Sequence, residues 1–243
     1  MDFITGEILL FNKDKDWTSF DVVNKARNII RKKLDIKKIK VGHAGTLDPM
    51  ATGLLVVCTG KMTKKINDLQ NDNKEYIAEI TLGATTPSFD KETEIDKTFD
   101  YSEITKEEII KTLKTFEGKQ MQIPPIYSAI KINGQRAYQI ARKGGEVKMK
   151  PRKIEIFDIE LLNFDLPAIT VKVNCSKGTY IRSLARDLGE KLNNGAYLSQ
   201  LTRTISGNYK LSDSITINEF EKLVNKINII WNFQHLILHY QRI

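Results

Sequence analysis

The most informative stretch of this chain is GHAGTLDPMATG, residues 42–53. Its three glycines allow the backbone to turn sharply or to approach a ligand closely. Pro49 disfavours helical geometry at Asp48, so the Asp48 carboxylate is expected on a stiff loop. A lone Asp-Pro pair is more often a turn or a helix cap. Here, however, the pair belongs to a twelve-residue segment whose residue types and order favour an Asp48 carboxylate that acts as a nucleophile or a base.

A nucleotide-phosphate loop is the obvious competing interpretation of this glycine-rich stretch. Six residues separate Gly53 from the Gly60-Lys61 pair, where a phosphate loop has four, and Met62 stands where that loop needs Ser or Thr. The sequence therefore excludes ATP or GTP binding through this motif.

The overall composition narrows the class of protein. Of the 243 residues, 41% are hydrophobic and 28% are charged, which is typical of a soluble globular protein. The two cysteines, Cys58 and Cys175, lie far apart, which indicates reduced thiols. The N-terminus shows no secretion signal, and no apolar run reaches the roughly 18 residues of a membrane span. We therefore expect a cytoplasmic protein without membrane contacts.

The net charge of +8 is unevenly distributed. Residues 25–40 and residues 131–153 each hold eight basic side chains and one acid, and the rest of the chain is net acidic. Either run alone would be interpreted as a solvated lysine-rich surface. Arg136, Tyr138 and Arg142 in the second run favour a nucleic-acid partner, because guanidinium planes and aromatic rings stack on bases.

The spacing of apolar residues predicts a mixed α/β protein. Strands are predicted over residues 6–11, 54–59 and 76–82, with a hairpin formed by residues 154–164 and 168–175. Helices are predicted behind the capping residues Thr18, Thr105 and Thr216, and over about residues 61–70 and 181–188. Strands and helices alternate without a strict βαβ period, so we expect a mixed sheet with flanking helices.

A series of ordered motifs resembles the TruB family of tRNA pseudouridine-55 synthases. The motifs are GHAGTLDP at residues 42–49, KEY at 74–76, PPIYSAIK at 124–131, CSKGTYIR at 175–182 and LTRT at 201–204. The resemblance covers about residues 6–207. It implies the pseudouridine synthase fold, with a mostly antiparallel sheet, flanking helices and an inserted thumb loop at about residues 124–152.

The resemblance also implies the domain organisation. Residues 1–212 are expected to form the catalytic domain, and residues 213–243 a helical extension without a separate domain. This corresponds to a short form that lacks the C-terminal RNA-binding domain of many relatives.

The implied activity is the isomerisation of uridine to pseudouridine at position 55, in the T-loop of tRNA. The reaction needs no cofactor and no metal. Asp48 corresponds to the catalytic nucleophile or base, and Arg182 to the cation that keeps this carboxylate ionised. Tyr76, Tyr180 and Leu201 are expected to support the site around the target base.

The implied partner is the T-arm of tRNA. The target uridine must be flipped out of the folded loop, and His43 resembles the residue that fills the resulting gap. Phosphate contacts and thumb closure are expected from exposed cations, which are Lys64, Lys131, Arg136, Arg142, Lys148, Lys150 and Arg152. We expect a monomer that needs no protein partner.

A few residues depart from the family pattern or suggest other sites, and two other functions fit the same motifs. Pro87 stands where many relatives have an acid, whereas Asp90 keeps a second acid of the pattern. His235 and His239 are spaced like zinc ligands, but no Cys or carboxylate completes a site, and Cys175 is expected to be a buried small hydrophobic residue. The alternatives are an RNA-folding protein without essential catalysis and a guide-RNA-dependent pseudouridine synthase.

Overall fold

The computed structural model describes residues 1–132, 134–145 and 148–226. His235, His239 and the part of the predicted C-terminal extension after residue 226 lie outside the described residues. The strands are β1 Ile8–Lys13, β2 Val41–His43, β3 Thr52–Thr59, β4 Lys74–Leu82, β5 Ala84–Thr85, β6 Lys97–Thr98, β7 Gly118–Gln122, β8 Lys131–Ile132, β9 Gln135–Arg136, β10 Arg152–Asp165, β11 Ala168–Cys175, β12 Ala196–Ser206 and β13 Tyr209–Lys210. The α-helices are α1 Ser19–Leu34, α2 Ile66–Gln70, α3 Lys106–Lys114, α4 Ala137–Ala141, α5 Ile181–Lys191 and α6 Ile217–Lys226.

The chain divides into two compact units. Unit 1 contains Met1–Gln70 and the chain from Asn208 onward, and unit 2 is Asn71–Gly207. Mixed α/β structure with antiparallel strand pairing occurs in both units, as the sequence predicts.

In unit 1, the antiparallel strands β1 and β3 lie side by side, and β2 pairs with β3. Helix α1 begins with the predicted capping box, in which the Thr18 hydroxyl and the Asp21 side chain each accept a backbone N–H of the other residue. Its apolar face packs with Phe11 of β1 and Phe220 of α6 in one buried cluster. The core of unit 1 therefore lies between β1 and these two helices.

Two predictions for unit 1 differ from the structure. The segment 61–70, predicted as one helix, begins as a 3-10 helix over Gly60–Lys65 and becomes α-helical only in α2. This short segment has no fully buried residue, so no apolar face selects the α-helical form. Strand β1 also continues beyond its predicted end at residue 11 to Lys13, which is 1% exposed.

Unit 2 is built on strands in the order β12, β4, β11, β10 and β7, and every neighbouring pair is antiparallel. The predicted hairpin is confirmed as β10 and β11. One face of these strands packs against α3 and α5 in a single apolar cluster that includes Ile80, Val171 and Leu188. Helix α5 therefore lies on the core face of the strands that carry Tyr76 and Leu201.

The thumb predicted from the resemblance coincides with an excursion from this sheet. Gln122 at the end of β7 lies directly opposite Arg152 at the start of β10, so residues 123–151 leave the sheet and return to adjacent positions. The excursion contains the small β8–β9 hairpin and helix α4. Gly144, with φ of 76°, lies in the turn that follows α4. Movement of the excursion stays a prediction.

Lys74 opens β4 beside Cys175 of β11 and is only 6% exposed. Its Nζ donates a hydrogen bond of 2.5 Å to the Asp72 carbonyl oxygen. Burial, and next the positive charge of Arg203, lower the pKa of Lys74 from 10.5 to about 8. Below pH 8 the folded protein must therefore hold a buried ammonium group, which lowers its stability.

We predict that the Lys74→Met variant loses stability relative to the wild type as the pH rises. Between pH 8 and 10.5 the unfolded chain binds more protons at Lys74 than the folded chain does, so the wild type becomes relatively more stable with rising pH. The wild type should gain about 2 kcal/mol over the variant between about pH 7 and 10. Urea denaturation of both proteins at matched ionic strength measures this difference. Both proteins contain the buried Cys175 thiol, so its titration largely cancels in the comparison. A difference that stays constant with pH would contradict the assignment.

Candidate active site

Asp48 lies in the loop between β2 and β3, outside any helix or strand, and is half-buried. The Ala51 N–H donates a hydrogen bond of 3.0 Å to the Asp48 carbonyl oxygen, so the chain turns immediately after the carboxylate. This is the loop that Pro49 predicts. The local geometry of Asp48 is set within unit 1 by two side chains from other elements.

The first of these side chains is Ser19, the first residue of α1, which is 2% exposed. Its hydroxyl accepts a hydrogen bond of 2.8 Å from the Leu47 N–H and donates one of 3.0 Å to the Leu47 carbonyl oxygen. Both polar groups of the residue that precedes Asp48 are therefore held by one buried hydroxyl. This arrangement restricts rotation of the backbone that carries the carboxylate.

The second side chain is Lys13 at the end of β1. Its ammonium group donates hydrogen bonds to the carbonyl oxygens of Asp14 at 2.9 Å, Trp17 at 2.6 Å and Pro49 at 3.2 Å. The Pro49 carbonyl also accepts from the Asp16 N–H at 2.8 Å. The carbonyl group of the residue that follows Asp48 is thus also held by a buried side chain.

Neither Ser19 nor Lys13 is among the site residues predicted from the sequence. The position of Lys13 does follow a pattern, because Leu9, Phe11 and Lys13 alternate along β1 and all three are buried. Extending that alternation by one step places the lysine on the buried face. Ser19 carries no such signal, since a serine beside a helix cap is usually explained by the helix itself.

Arg182 lies in the first turn of α5 in unit 2 and is 4% exposed. Its guanidinium group donates to the Tyr127 carbonyl oxygen at 3.0 Å and to the Ser88 carbonyl oxygen at 3.4 Å, and Nη1 lies 3.3 Å from Oδ2 of Asp90. A buried charge is stable only with such partners. The arginine is therefore held in one orientation by three groups from two different segments of unit 2.

Asp90, the partner of Arg182, is itself 5% exposed and well ordered by its neighbours. Its Oδ1 accepts from the Glu92 N–H at 2.9 Å, and its carbonyl oxygen accepts from the Thr86 hydroxyl at 2.7 Å. Pro87, at the position where many relatives have an acid, is exposed. The described ion pair of Arg182 is made with Asp90, so the substitution at Pro87 leaves this pair intact.

Tyr76 and Leu201 are brought together on neighbouring strands of unit 2. Tyr76 of β4 lies opposite Arg203 of β12, and Ala78 lies opposite Leu201. Residues two apart on a strand share a face, so Tyr76 and Leu201 are diagonal neighbours on the same face of the sheet. Both are half-buried and pack against the core that α5 covers.

Tyr180 immediately precedes α5 and is fixed by its backbone. The Tyr180 N–H donates to Oε1 of Gln122 at 2.9 Å, and Nε2 of Gln122 donates to the Tyr180 carbonyl oxygen at 3.1 Å. Gln122 is also absent from the predicted site residues, and its role depends on a contact between residues 58 positions apart. The supporting residues Tyr76, Tyr180, Arg182 and Leu201 thus all belong to unit 2.

The residues predicted to bind RNA lie in both units. His43 ends β2 and is half-buried, and Lys64 is exposed in the 3-10 helix of unit 1. The other predicted cations are exposed in unit 2, and they are Lys131, Arg136, Arg142, Lys148, Lys150 and Arg152. Lys131 and Arg136 are paired across the β8–β9 hairpin. RNA contacts by these residues stay predictions.

Arg142 already has partners in the described structure. Its guanidinium group forms an ion pair with the Glu92 carboxylate and lies 5.4 Å from the centre of the Tyr138 ring. A phosphate bound by Arg142 would have to share or replace the Glu92 contact.

Two further observations concern membranes and metals. Within the described ranges, every helix is too short or too polar to cross a membrane. Among the same residues, no three His, Cys, Asp or Glu side chains are grouped so that they could hold a metal ion. Cys58 and Cys175 are both buried and free, and burial raises the pKa of the Cys175 thiol to about 12.

Two family models match the sequence. Residues 31–181 match the N-terminal domain of the TruB family pseudouridylate synthases, and residues 182–229 match the C-terminal domain of tRNA pseudouridylate synthase B. The chain belongs to the TruB family. The first matched range includes Asp48 and Tyr76, and the second begins at Arg182.

Curated relatives of this TruB-family chain extend over nearly its whole length. A tRNA pseudouridine synthase B of Phocaeicola vulgatus is 53% identical over 94% of this chain and 97% of its own length. A protein of the same name from Parabacteroides distasonis is 54% identical over 93% and 96%, respectively. In Clostridium tetani, a longer tRNA pseudouridine synthase B is 48% identical over 89% of this chain and 72% of its own length.

Solved structures show the same fold. A chain of a Cbf5-Nop10-Gar1 complex matches with a TM-score of 0.68 and 29% identity over 90% of this TruB-family chain. A chain of an H/ACA RNP bound to a substrate RNA containing 2′-deoxyuridine matches with a TM-score of 0.64 and 27% identity. The chain spans about half the length of these solved chains, 54% and 53%, respectively. The predicted pseudouridine synthase fold is confirmed.

We predict that Ser19→Ala lowers kcat about ten- to hundredfold, because Leu47, the residue before Asp48, loses both hydrogen bonds and small misplacements of reacting groups are costly. The matched control is Thr18→Ala, which removes the adjacent cap of α1 and costs about 1 kcal/mol of stability without touching the loop. Kinetics on unmodified tRNA, with unfolding free energies of both variants, separate the two effects. Equal kcat values for the two variants would contradict the role of Ser19.

We predict that Asp90→Asn destabilises the protein by about 3 kcal/mol, because it removes a carboxylate that pairs with the buried Arg182 charge. Glu92→Gln breaks the exposed ion pair with Arg142 in the same segment and should cost less than about 1 kcal/mol. Chemical denaturation at neutral pH measures both changes. A loss for Asp90→Asn as small as that for Glu92→Gln would show that Arg182 does not depend on Asp90.

Proposed function

We propose that this protein isomerises uridine to pseudouridine at position 55, in the T-loop of tRNA. Membership of the TruB family and the relatives named tRNA pseudouridine synthase B support this substrate. The single structural observation that carries the proposal is Asp48, whose two neighbouring residues, Leu47 and Pro49, are both held by buried side chains. A carboxylate held in this way suits a reaction at one defined atom.

The reaction breaks the N1–C1′ bond, turns the base and joins C5 to C1′. N1 gains a proton and C5 loses one, so the atoms balance without a redox partner or a group donor. The residues therefore have to supply a nucleophile or base, an environment for the detached base and a route for one proton. In the proposal Asp48 is the catalytic residue, and it attacks the sugar, attacks the base or removes a sugar proton.

The roles of the supporting residues follow from their chemistry. Arg182 supplies the fixed positive charge that keeps the Asp48 carboxylate ionised, since a guanidinium group does not lose its proton. Tyr76 stacks on the target base and helps to remove the C5 proton, and Leu201 forms an apolar wall beside it. Their placement on one face of the sheet in unit 2 supports this pairing. Tyr180 leads into the helix that carries Arg182.

Binding of tRNA is proposed to depend on other residues than the chemistry does. His43 fills the gap that the flipped uridine leaves, and the exposed cations of the excursion hold the T-arm by its phosphates. These contacts require neither a protein partner nor a second subunit. A monomeric state, a cytoplasmic location and the catalytic domain over residues 1–212 stay predictions.

Two alternative functions make different predictions. An RNA-folding protein without essential catalysis would keep its activity when Asp48 is replaced. A subunit of a guide-RNA ribonucleoprotein would act on tRNA only with additional components. The identity of 53% to a tRNA pseudouridine synthase B, against 29% to the chain of the Cbf5 complex, favours the proposed function.

The test is incubation of the purified protein with unmodified tRNA, followed by mapping of pseudouridine at each nucleotide. We expect a single modified site at position 55 with the wild type and none with Asp48→Asn, whose affinity for tRNA should stay within a few-fold. Asp68→Asn removes the same charge from an exposed residue and serves as the matched control. Turnover by Asp48→Asn, or modification elsewhere in the tRNA, would contradict the proposal.

A further inference from the structure

Unit 1 contains a cleft that the proposed chemistry does not use. Its volume is about 370 Å³, and three isoleucines, Ile4, Ile36 and Ile39, contribute to its lining. Ile4 is 58% exposed. The cleft therefore offers apolar surface to a ligand, in a volume that suits a small-molecule-sized group.

Four lysines also line this cleft, and no acidic residue does. Lys38 and Lys40 end the first basic run of the sequence, whereas Lys61 and Lys64 come from the 3-10 helix after β3. Lys61 lies outside both basic runs of the sequence, so the charge pattern alone does not indicate that it lines this cleft.

The backbone brings these segments together. The Gly60 N–H donates to the Lys40 carbonyl oxygen at 2.9 Å, and the Lys61 N–H donates to the Thr5 carbonyl oxygen at 3.2 Å. Gly60 has φ of 51°, and a Cβ at this position would collide with the carbonyl of Ile4. The convergence of the lysines is therefore built into the fold of unit 1.

The charge of the cleft is not neutralised within the described part of the chain. Ion pairs there occupy other lysines, such as Lys25 with Glu221, Lys65 with Asp68 and Lys172 with Glu160. No such pair involves a lysine of the cleft, and all four are exposed. Four like charges around one cleft repel one another, and a polyanion relieves this repulsion.

We propose that this cleft binds the sugar–phosphate backbone of the tRNA substrate, an inference that rests on the proposed function. Lysine ammonium groups contact phosphates without reading sequence, and the isoleucines offer apolar contact to a ribose or base between them. The occupant is a polynucleotide, because its successive phosphates can neutralise several lysines along one cleft at once. The cleft thus adds a second phosphate-binding surface to the one proposed on the excursion.

The test compares two triple variants that remove the same charge. The first combines Lys38→Gln, Lys40→Gln and Lys61→Gln in the cleft. The control combines Lys97→Gln, Lys106→Gln and Lys111→Gln at exposed positions of unit 2. Each is made in the Asp48→Asn background, and the Kd for unmodified tRNA is measured from 50 to 300 mM salt, with melting temperatures as a check on folding.

We expect the cleft variant to raise Kd at least tenfold at about 0.1 M salt and to flatten the slope of log Kd against log salt by about two to three. The control should change Kd less than threefold and leave the slope unaltered. As a second variant, Ile4→Glu places a carboxylate among the lysines without removing one, and it should weaken binding in the same direction. Identical salt slopes for the two triple variants would overturn the proposal.

The same measurements separate this proposal from the proposed function. If the wild type forms pseudouridine in tRNA and the two triple variants bind alike, the cleft proposal fails and the function stands. If the wild type forms none but the cleft variant alone loses affinity, the cleft proposal stands and the function fails. In the otherwise wild-type protein, the cleft substitutions should raise KM severalfold and leave kcat unchanged, because no cleft lysine is assigned to the chemistry.

Discussion

The position of the Asp48 carboxylate depends on the buried ammonium group of Lys13. A buried charge is unstable unless its donors are paired, and the three carbonyl oxygens around Lys13 match the three N–H groups of an ammonium. Because one of these oxygens belongs to Pro49, the requirement to satisfy Lys13 also fixes the carbonyl group of the residue that follows Asp48. Ser19 completes the arrangement from the start of α1. The loop between β2 and β3 is thereby tied to the core of unit 1.

In unit 2, the buried charge of Arg182 also has hydrogen-bonding partners for its donors. The arginine is buried at the start of α5, and a carboxylate and two backbone carbonyls hold its guanidinium group. The cations proposed to bind RNA differ, because they are exposed and lie in the excursion from the sheet, at the start of β10 or along the cleft of unit 1. Buried, fully partnered charges suit chemistry that requires fixed geometry, whereas exposed charges suit phosphate contacts that tolerate variation.

Much of the fold follows from local sequence patterns. The caps at Thr18, Thr105 and Thr216 are confirmed, because a cap depends only on residues three positions apart. Strand β12 escapes prediction since Ser199, Gln200 and Thr202 to Thr204 break the apolar alternation, although Arg203 among them is 1% exposed. The predicted strand β1 is confirmed, but its predicted end at residue 11 is wrong, because the partners that allow Lys13 to be buried lie in other segments.

The site is less accessible to such patterns than the fold is. The motif residues Asp48, Tyr76, Arg182 and Leu201 are predicted from their resemblance to the TruB family. The residues that position them, Lys13, Ser19 and Gln122, are polar side chains whose partners are backbone groups of other segments. Patterns among residues close in the sequence do not predict these contacts, since the contacts form only when the chain has folded.

The most direct test of this account is a crystal structure of the protein with a T-arm RNA that carries 5-fluorouridine at position 55, since fluorine at C5 cannot leave as a proton. We predict that the nucleotide is flipped out, that an Asp48 carboxylate oxygen lies within about 3.5 Å of a reacting atom of its sugar or base, and that Arg182 still pairs with Asp90. A flipped nucleotide bound with the Asp48 carboxylate turned away from it, or a target base still stacked in its loop, would contradict the central claim that the fixed Asp48 loop carries the chemistry.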